Sequence, residues 1–137
     1  MILNLSINSL IDIGQAEGAF IQGLGFMFLE KVDYEKQTGK LLTDGTWDYY
    51  PPLSKDIPVD FRVSFLENSP NPVGVIGAKC VGEPPLVLSL SALFACKRAI
   101  EAARQEYGNV EFFNLDTPIL HETIQKLCLP NFSIFDL

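Results

Sequence analysis

Cysteine is scarce in this chain, and its cysteines are widely separated. Only Cys80, Cys96 and Cys128 occur among 137 residues, and no two of them form a Cys-x-x-Cys pair. The sequence therefore contains neither a zinc ribbon nor a ligand set for an iron–sulfur cluster. Isolated cysteines of this kind are typical of a reducing compartment.

Long apolar runs and a basic leader are also missing. No stretch reaches the roughly 18 apolar residues that a membrane-spanning helix requires. The first ten residues, MILNLSINSL, have no basic start and interrupt their apolar positions with two Asn and two Ser, which is unlike a secretory signal. We therefore expect a soluble, cytoplasmic protein that does not enter a membrane.

Positive charge is in short supply as well. Ten Lys and Arg stand against seventeen Asp and Glu, a net charge of −7. Proteins that bind a phosphate backbone need basic residues, so nucleic acid is not an expected partner. The sequence also lacks a Walker loop and a dinucleotide fingerprint.

Apolar residues, in contrast, are plentiful. They make up 47% of the chain and include ten Phe, which is enough to build a core and to leave some apolar surface for a partner. No linker, repeat or low-complexity run divides the sequence, so we expect residues 1–137 to form one segment.

The residue patterns predict an α+β fold of mixed helices and short strands. The helices are expected where apolar residues recur at helical spacing, and the strands where apolar and polar residues alternate or flank turn signals. The expected helices are 14–30, 85–106 and 118–127; the expected strands are 2–7 and 59–66, with a hairpin within 31–47.

The first helix carries two unusual features. Asp12 precedes Gln15 by three residues, which resembles a capping box, and Gln15 would then only bond back to the helix start. Glycines also recur in this segment, although each costs roughly 1 kcal/mol relative to Ala inside a helix. They indicate a surface where a neighbouring helix or a ligand approaches the backbone closely; they are Gly14, Gly18, Gly23 and Gly25.

Glu83 is the residue most suited to chemistry. It lies between Gly82 and the Pro84-Pro85 pair, immediately before a predicted helix. The helix dipole there favours the ionised carboxylate, whereas burial in a pocket would oppose it, and a general base near neutrality needs such a balance. On spacing alone, an ordinary acidic residue at a helix start is the commoner explanation.

The other polar candidates have simpler explanations. His121 has no acidic partner at catalytic spacing and is expected on the surface. Ser89 and Ser91 lack a Gly-x-Ser-x-Gly context and are expected to be ordinary helix residues. Lys79 is expected either to pair with Glu83 or to be solvated.

Two motifs change this assessment. The segment 12–25 resembles the Gly-Gln-x-Glu-Gly-Ala-Phe-x-Gln-Gly stretch of the molybdenum hydroxylases, the family of xanthine dehydrogenase and aldehyde oxidase. Further on, Phe61-Arg62-Val63, Asn71-Pro72 and the segment 78–86, which contains Gly-Glu-Pro-Pro, resemble the same family in the same order. The similarity spans nearly the whole chain and weakens in the hairpin and the last dozen residues.

The resemblance implies a fold, a reaction and two site residues. The chain looks like the C-terminal segment of a molybdopterin-binding domain of the xanthine oxidase type. Glu83 matches the catalytic glutamate, a general base that activates a metal-held nucleophile toward an aldehyde or an N-heterocycle. Gln15 matches a glutamine that lies against the molybdenum-molybdopterin cofactor. No protein ligand to the metal is assigned to this chain.

The same resemblance shows what the chain does not contain. In the complete enzyme, which is expected to be a homodimer, 2Fe-2S clusters and FAD carry the electrons away and are bound outside this segment. We therefore expect a fragment of a larger oxidoreductase that is inactive when isolated from the remainder of the hydroxylase. Two alternatives stay open: a non-catalytic truncated protein that docks on a full-length homologue, and a free-standing binding module without a redox role.

Overall fold

Helices account for most of the regular structure in the computed structural model, which describes residues 6–128. None of the helices in this range is both long enough and apolar enough to cross a bilayer. The four helices, in chain order, are α1 (Ser9–Phe28), α2 (Pro84–Leu88), α3 (Leu90–Glu106) and α4 (His121–Leu127), with single 3-10 turns at Ser54–Asp56 and Val75–Gly77.

The start of α1 differs from the predicted capping box. Asn8 is the N-cap, and its side-chain oxygen accepts hydrogen bonds from the backbone N–H groups of Leu10 (3.2 Å) and Ile11 (3.4 Å). Asp12 lies in the first turn, where its carboxylate accepts a 2.5 Å hydrogen bond from the Ser6 hydroxyl. The predicted start was wrong because Asn at position 8 satisfies the free N–H groups one turn earlier.

The predicted helix 85–106 is two helices. Ser89 separates α2 from α3, and its hydroxyl donates a 2.6 Å hydrogen bond to the carbonyl of Leu86. Ser89 is fully buried, so it is not the ordinary helix residue that the sequence suggested. A buried hydroxyl needs a partner, and the nearby carbonyl supplies one.

Close packing of α1 on α2 explains one of the helix glycines. A Cβ added to Gly23 would lie 2.6 Å from the Leu86 carbonyl oxygen and would also collide with the Ser89 side chain. Glycine at this position therefore lets the two backbones approach each other. Gly14 and Gly18 have open space around them, so packing within this chain does not require glycine there.

The predicted strands are much reduced. Of the hairpin, one antiparallel bridge between Tyr34 and Leu41 is present, with Gly39 at a φ of +72° in the turn. Within the predicted strand 59–66, Leu66 is assigned as a β-bridge residue, and residues 59–65 have no strand assignment. The predicted strand 2–7 lies mostly outside the described residues. A strand needs a neighbour to complete its hydrogen bonds, and an alternating pattern does not provide one.

The C-terminal helices are tied to α1 and to each other by backbone carbonyls. The N–H of Ile119 donates a 2.7 Å hydrogen bond to the carbonyl of Met27 at the end of α1. Arg104 is buried on α3, and its guanidinium donates hydrogen bonds to the Leu127 carbonyl (3.2 Å) and the Asn109 side chain (2.9 Å). These bonds fix α4, which begins at His121 rather than at the predicted residue 118.

The apolar core of the described residues is small. It is made chiefly of short side chains on α1 together with two isoleucines. Several large apolar side chains are instead largely accessible: Trp47 is 86% exposed, Val59 108% and Phe112 82%. The buried apolar residues are Ala16, Ala19, Met27, Ile100 and Ile119, together with Pro85 at the start of α2.

Candidate cofactor and base site

Gln15 lies in the second turn of α1, and its side chain is exposed. Since the helix begins at Ser9, Gln15 is too far along to bond back to the helix start, and the capping explanation is wrong. Its amide makes no hydrogen bond to another described residue. An amide group with a free donor and a free acceptor is therefore presented at the surface of α1.

Glu83 occupies the N-cap position of α2, with Pro84 and the buried Pro85 as the first two residues of the helix. Its backbone is held by a 3.0 Å hydrogen bond from the Leu86 N–H to the Glu83 carbonyl. The side chain makes no capping hydrogen bond, and its position at a helix start is the one that the helix dipole favours for an acidic residue. The carboxylate is exposed and forms no ion pair with any described residue.

Gly82 brings the two candidate residues together. A Cβ built on Gly82 would lie 3.1 Å from the amide oxygen Oε1 of Gln15. The Gln15 amide thus rests against the backbone of the residue that directly precedes Glu83. The first motif, on α1, and the second motif, at the start of α2, form one surface.

The loop before Glu83 is anchored by side chains that reach backbone carbonyls. The Asn71 amide donates a 2.6 Å hydrogen bond to the Ala78 carbonyl, and the Lys79 ammonium donates one of 2.6 Å to the Ser69 carbonyl. Lys79 therefore neither pairs with Glu83 nor stands free in solvent, contrary to both expectations. The sequence could not show this, because the partner is a backbone group.

Two acidic groups, one on α1 and one beyond its end, accept side-chain hydrogen bonds. Asp12 accepts the hydrogen bond from Ser6, and Glu30 accepts one from the Tyr49 hydroxyl. That bond to Glu30 raises the pKa of Tyr49 above its ordinary value, with smaller contributions in the same direction from burial and from the carboxylate charge. Glu83 has no such partner within the described chain and remains available as a proton acceptor.

Two open clefts flank this surface. The first has a volume of about 300 Å³ and lies between the start of α1 and residues 75–81. The second has a volume of about 760 Å³ and lies between α1, residues 60–64 and the start of α2. The first cleft is lined in part by Asp12 and Val81, and the second in part by Ala16 and Pro85. In the sequence, Gln15 and Gly82 therefore lie between lining residues of the two clefts.

The remaining polar candidates do not join the site. His121 is exposed at the start of α4, as predicted. Ser91 lines the larger cleft without a histidine partner among the described residues. Over residues 6–128, no three His, Cys, Asp or Glu side chains form a group that could hold a metal ion. Burial raises the pKa of the Cys96 thiol, with a smaller effect from Cys128, which disfavours the reactive thiolate form.

The chemistry of the site follows from its two free groups. The Gln15 amide can donate to and accept from a polar heterocycle, and the Glu83 carboxylate can take a proton from a bound molecule. Because Gly82 has no side chain, it leaves the surface between the Gln15 amide and Glu83 uncovered. The site is open, so other elements would have to cover it before water is excluded.

Comparison with known proteins identifies relatives of this chain. Residues 5–58 match the model of the molybdopterin cofactor-binding domain. The chain is 44% identical over 137 residues to xanthine dehydrogenase 2 of Arabidopsis thaliana and 45% identical over 130 residues to the xanthine dehydrogenase/oxidase of Rattus norvegicus. These matches cover 96% and 93% of the chain.

A solved structure shares the fold. Quinoline 2-oxidoreductase from Pseudomonas putida 86 superposes with a TM-score of 0.72 at 30% identity, over 89% of this chain and 14% of the other. The chain spans about 10% of the length of each of the two xanthine dehydrogenase relatives. By sequence and by fold, the chain belongs to the molybdenum hydroxylase family, in the part that contains its molybdopterin cofactor-binding domain.

Proposed function

We propose that this chain is the C-terminal segment of the molybdopterin-binding domain of a molybdenum hydroxylase that oxidises aldehydes or N-heterocycles. Glu83 is its general base, and Gln15 contacts the cofactor. The observation that carries the proposal is the contact of the Gln15 amide with Gly82, which places a free amide beside the residue that bears the free carboxylate.

The residues fit the cofactor that the family implies. Molybdopterin has a polar heterocycle, and the unpartnered Gln15 amide can complete hydrogen bonds with such a ring. When bound, the molybdenum cofactor supplies the metal centre that accepts the electrons removed from the substrate. A side chain at Gly82 would press on the Gln15 oxygen, so the glycine keeps the amide in position.

Glu83 takes a proton during the reaction. A general base must be ionised and within hydrogen-bonding reach of the proton that it removes. Pro84 and Pro85 restrict the backbone that follows Glu83, and burial of Pro85 fixes the start of α2. The carboxylate is thereby presented from a rigid position, while its exposure in this chain means that its final environment comes from the rest of the enzyme.

The proposal includes the remaining parts of the enzyme. 2Fe-2S clusters and FAD, bound outside this chain, carry the electrons onward, and the complete enzyme is a homodimer in the cytoplasm. The three free cysteines favour a reducing compartment. The isolated chain is inactive, because the exposed base faces solvent on a surface that no other part of the enzyme encloses.

Replacement of the base in the complete enzyme tests this function. We expect Glu83→Gln to lower kcat by at least about 100-fold, as expected for loss of a general base, with the molybdenum content unchanged because the shape of the side chain is kept. The matched control is Glu106→Gln, an exposed carboxylate at the end of α3, which should leave turnover unchanged. Full turnover in Glu83→Gln would refute the assigned role.

A second candidate is supported by the apolar surface of the chain. If the chain is a truncated protein that docks on a full-length homologue without catalysis, it would co-purify with that homologue while Gln15 makes no cofactor contact. Gln15→Ala would then leave the cofactor content of the complex unchanged. A loss of molybdenum in that variant would instead support the catalytic role.

A further inference from the structure

Two side-chain hydrogen bonds cross-link the loop that leads to Glu83. The Lys79 ammonium donates a 2.6 Å bond to the Ser69 carbonyl. The Asn71 amide donates a bond of the same length to the Ala78 carbonyl. Both bonds cross the base of the loop 71–78, so they tie its incoming strand of chain to its outgoing one.

The conformation of this loop requires support from its surroundings. Ile76 has a φ of +54° and a ψ of +29°, a left-handed conformation that is an outlier for a β-branched residue. Such a conformation persists only where the surrounding structure holds it. A Cβ on Gly74 would lie 2.3 Å from the Asn71 amide nitrogen and 2.5 Å from the Ala78 carbonyl oxygen. The backbone of the loop is therefore packed directly against the bond that closes it.

The backbone of Glu83 is also set by its neighbours. A residue before a proline favours extended backbone, and so does a residue at a helix N-cap. Glu83 precedes Pro84 and is the N-cap of α2, yet its backbone is helical, with φ −91° and ψ −43°. The buried Pro85 holds the chain on one side of it, and the Gln15 amide oxygen lies against Gly82 on the other. The direction of the carboxylate therefore depends on how the flanking residues are held.

The path from the cross-linked loop to Glu83 is short. Residues 80–82 connect them, and three fully extended residues span at most about 11 Å. We propose that Lys79 and Asn71 are positioning residues of the reaction, which hold the loop 71–78 so that Glu83 presents its carboxylate to the substrate in one orientation. This inference rests on the proposed function, because it takes Glu83 as the general base.

Substitution of Lys79 in the complete enzyme tests the first cross-link. Lys79→Met keeps the length of the side chain and removes the donor. We expect kcat to fall by about 10- to 100-fold, since misplacement by about 1 Å can cost about 100-fold, with KM and molybdenum content near the wild-type values. Lys79→Arg should recover most of the lost kcat, because a guanidinium also donates to a carbonyl. The matched control is Lys36→Met, at an exposed lysine, which should keep the wild-type kcat.

Substitution of Asn71 tests the second cross-link independently. Asn71→Asp keeps the shape of the side chain, but an ionised carboxylate has no N–H to donate to the Ala78 carbonyl. We expect kcat to fall in the same range as in Lys79→Met, because both bonds close the same loop. A wild-type kcat in either Lys79→Met or Asn71→Asp would overturn the proposal.

Combination with Glu83→Gln separates positioning from a general structural role. If Lys79 acts through the Glu83 carboxylate, Lys79→Met costs nothing further once that carboxylate is gone, and the double variant has the kcat of Glu83→Gln alone. Single-turnover product formation measures these slow variants. A further fall of about tenfold in the double variant, or loss of molybdenum in Lys79→Met by itself, would show that Lys79 stabilises the domain in general and would overturn the proposal.

The same variants distinguish failure of this inference from failure of the proposed function. A low kcat in Glu83→Gln together with a wild-type kcat in Lys79→Met leaves the function standing and overturns the positioning role. Full turnover in Glu83→Gln removes Glu83 as the base, and the positioning role falls with it.

Discussion

The identity of Gly82 depends on a side chain far away in the sequence. Gln15 reaches across from α1 and places its amide oxygen where a Cβ on residue 82 would stand only 3.1 Å away. Gly82 does not have a positive φ, so its backbone would accept an alanine. The contact with Gln15 is therefore what disfavours a side chain at this position.

Gly82→Ala in the complete enzyme should displace the Gln15 amide by a few tenths of an ångström. Misplacement by about 1 Å can cost about 100-fold in rate, so we expect a loss of roughly 3- to 30-fold in kcat, together with reduced molybdenum content. The measurements are steady-state kinetics and metal analysis of the purified protein.

The control for this prediction is Gly45→Ala. A Cβ there would meet only the Asp48 carboxylate, at 3.8 Å, an ordinary contact distance, so kcat and metal content should stay at the wild-type level. Equal kinetics in the Gly82 and Gly45 variants would show that the contact between Gly82 and Gln15 has no functional consequence.

At the scale of the helices, the glycines of α1 differ in whether packing requires them. Gly23 permits the close approach of α2, whereas Gly18 faces open space. The sequence predicted that the backbone of α1 is closely approached at its glycines. The structure shows such close packing at Gly23 and at Gly25, where an added Cβ would lie 2.5 Å from the ring of Pro52. The periodicity of α1 could not tell these positions apart, because all of them lie in one helix.

Gly23→Ala should destabilise the chain although alanine is the better helix former. Overpacking against a backbone carbonyl typically costs about 1–3 kcal/mol, which exceeds the gain of about 1 kcal/mol in helix propensity. Gly18→Ala, on the same helix, should gain up to about 1 kcal/mol. Urea unfolding followed by circular dichroism measures both, and a Gly23→Ala chain as stable as Gly18→Ala would contradict the assignment.

The whole molecule buries little of its surface. Its accessible area is 10551 Å², whereas a compact monomer of 15.2 kDa would expose about 7,100 Å². The small core and the exposed side chains of Trp47, Val59 and Phe112 are consistent with this large accessible area. Large exposed apolar area marks surfaces that other protein elements cover.

The isolated chain should therefore bind the fluorescent dye ANS and show no hydroxylase turnover, while the complete enzyme should bind little dye. Dye fluorescence and turnover of an aldehyde or an N-heterocycle, measured on both proteins at equal concentration, check this. A chain that excludes the dye and unfolds cooperatively would favour the free-standing binding module instead.

The sequence by itself determined the family, the two candidate residues and the existence of the main helices. Helical periodicity is a local property, and the Gly-Gln and Gly-Glu-Pro-Pro motifs are written in consecutive residues, so neither needs a tertiary structure to be recognised. The helix boundaries shifted because caps and breaks depend on single residues. Helix α1 begins earlier than predicted because Asn8 caps it, and the second predicted helix is divided at Ser89.

Only the tertiary structure decided how the parts meet. The contact of Gln15 with Gly82, the bond from Lys79 to the Ser69 carbonyl and the packing of Gly23 on Leu86 join residues that are distant in sequence, or groups of the backbone that have no sequence signal. The same holds for the predicted strand 59–66. Alternation fixed which side chains face inward, but a strand also requires a neighbour, and no pattern within one segment supplies its partner.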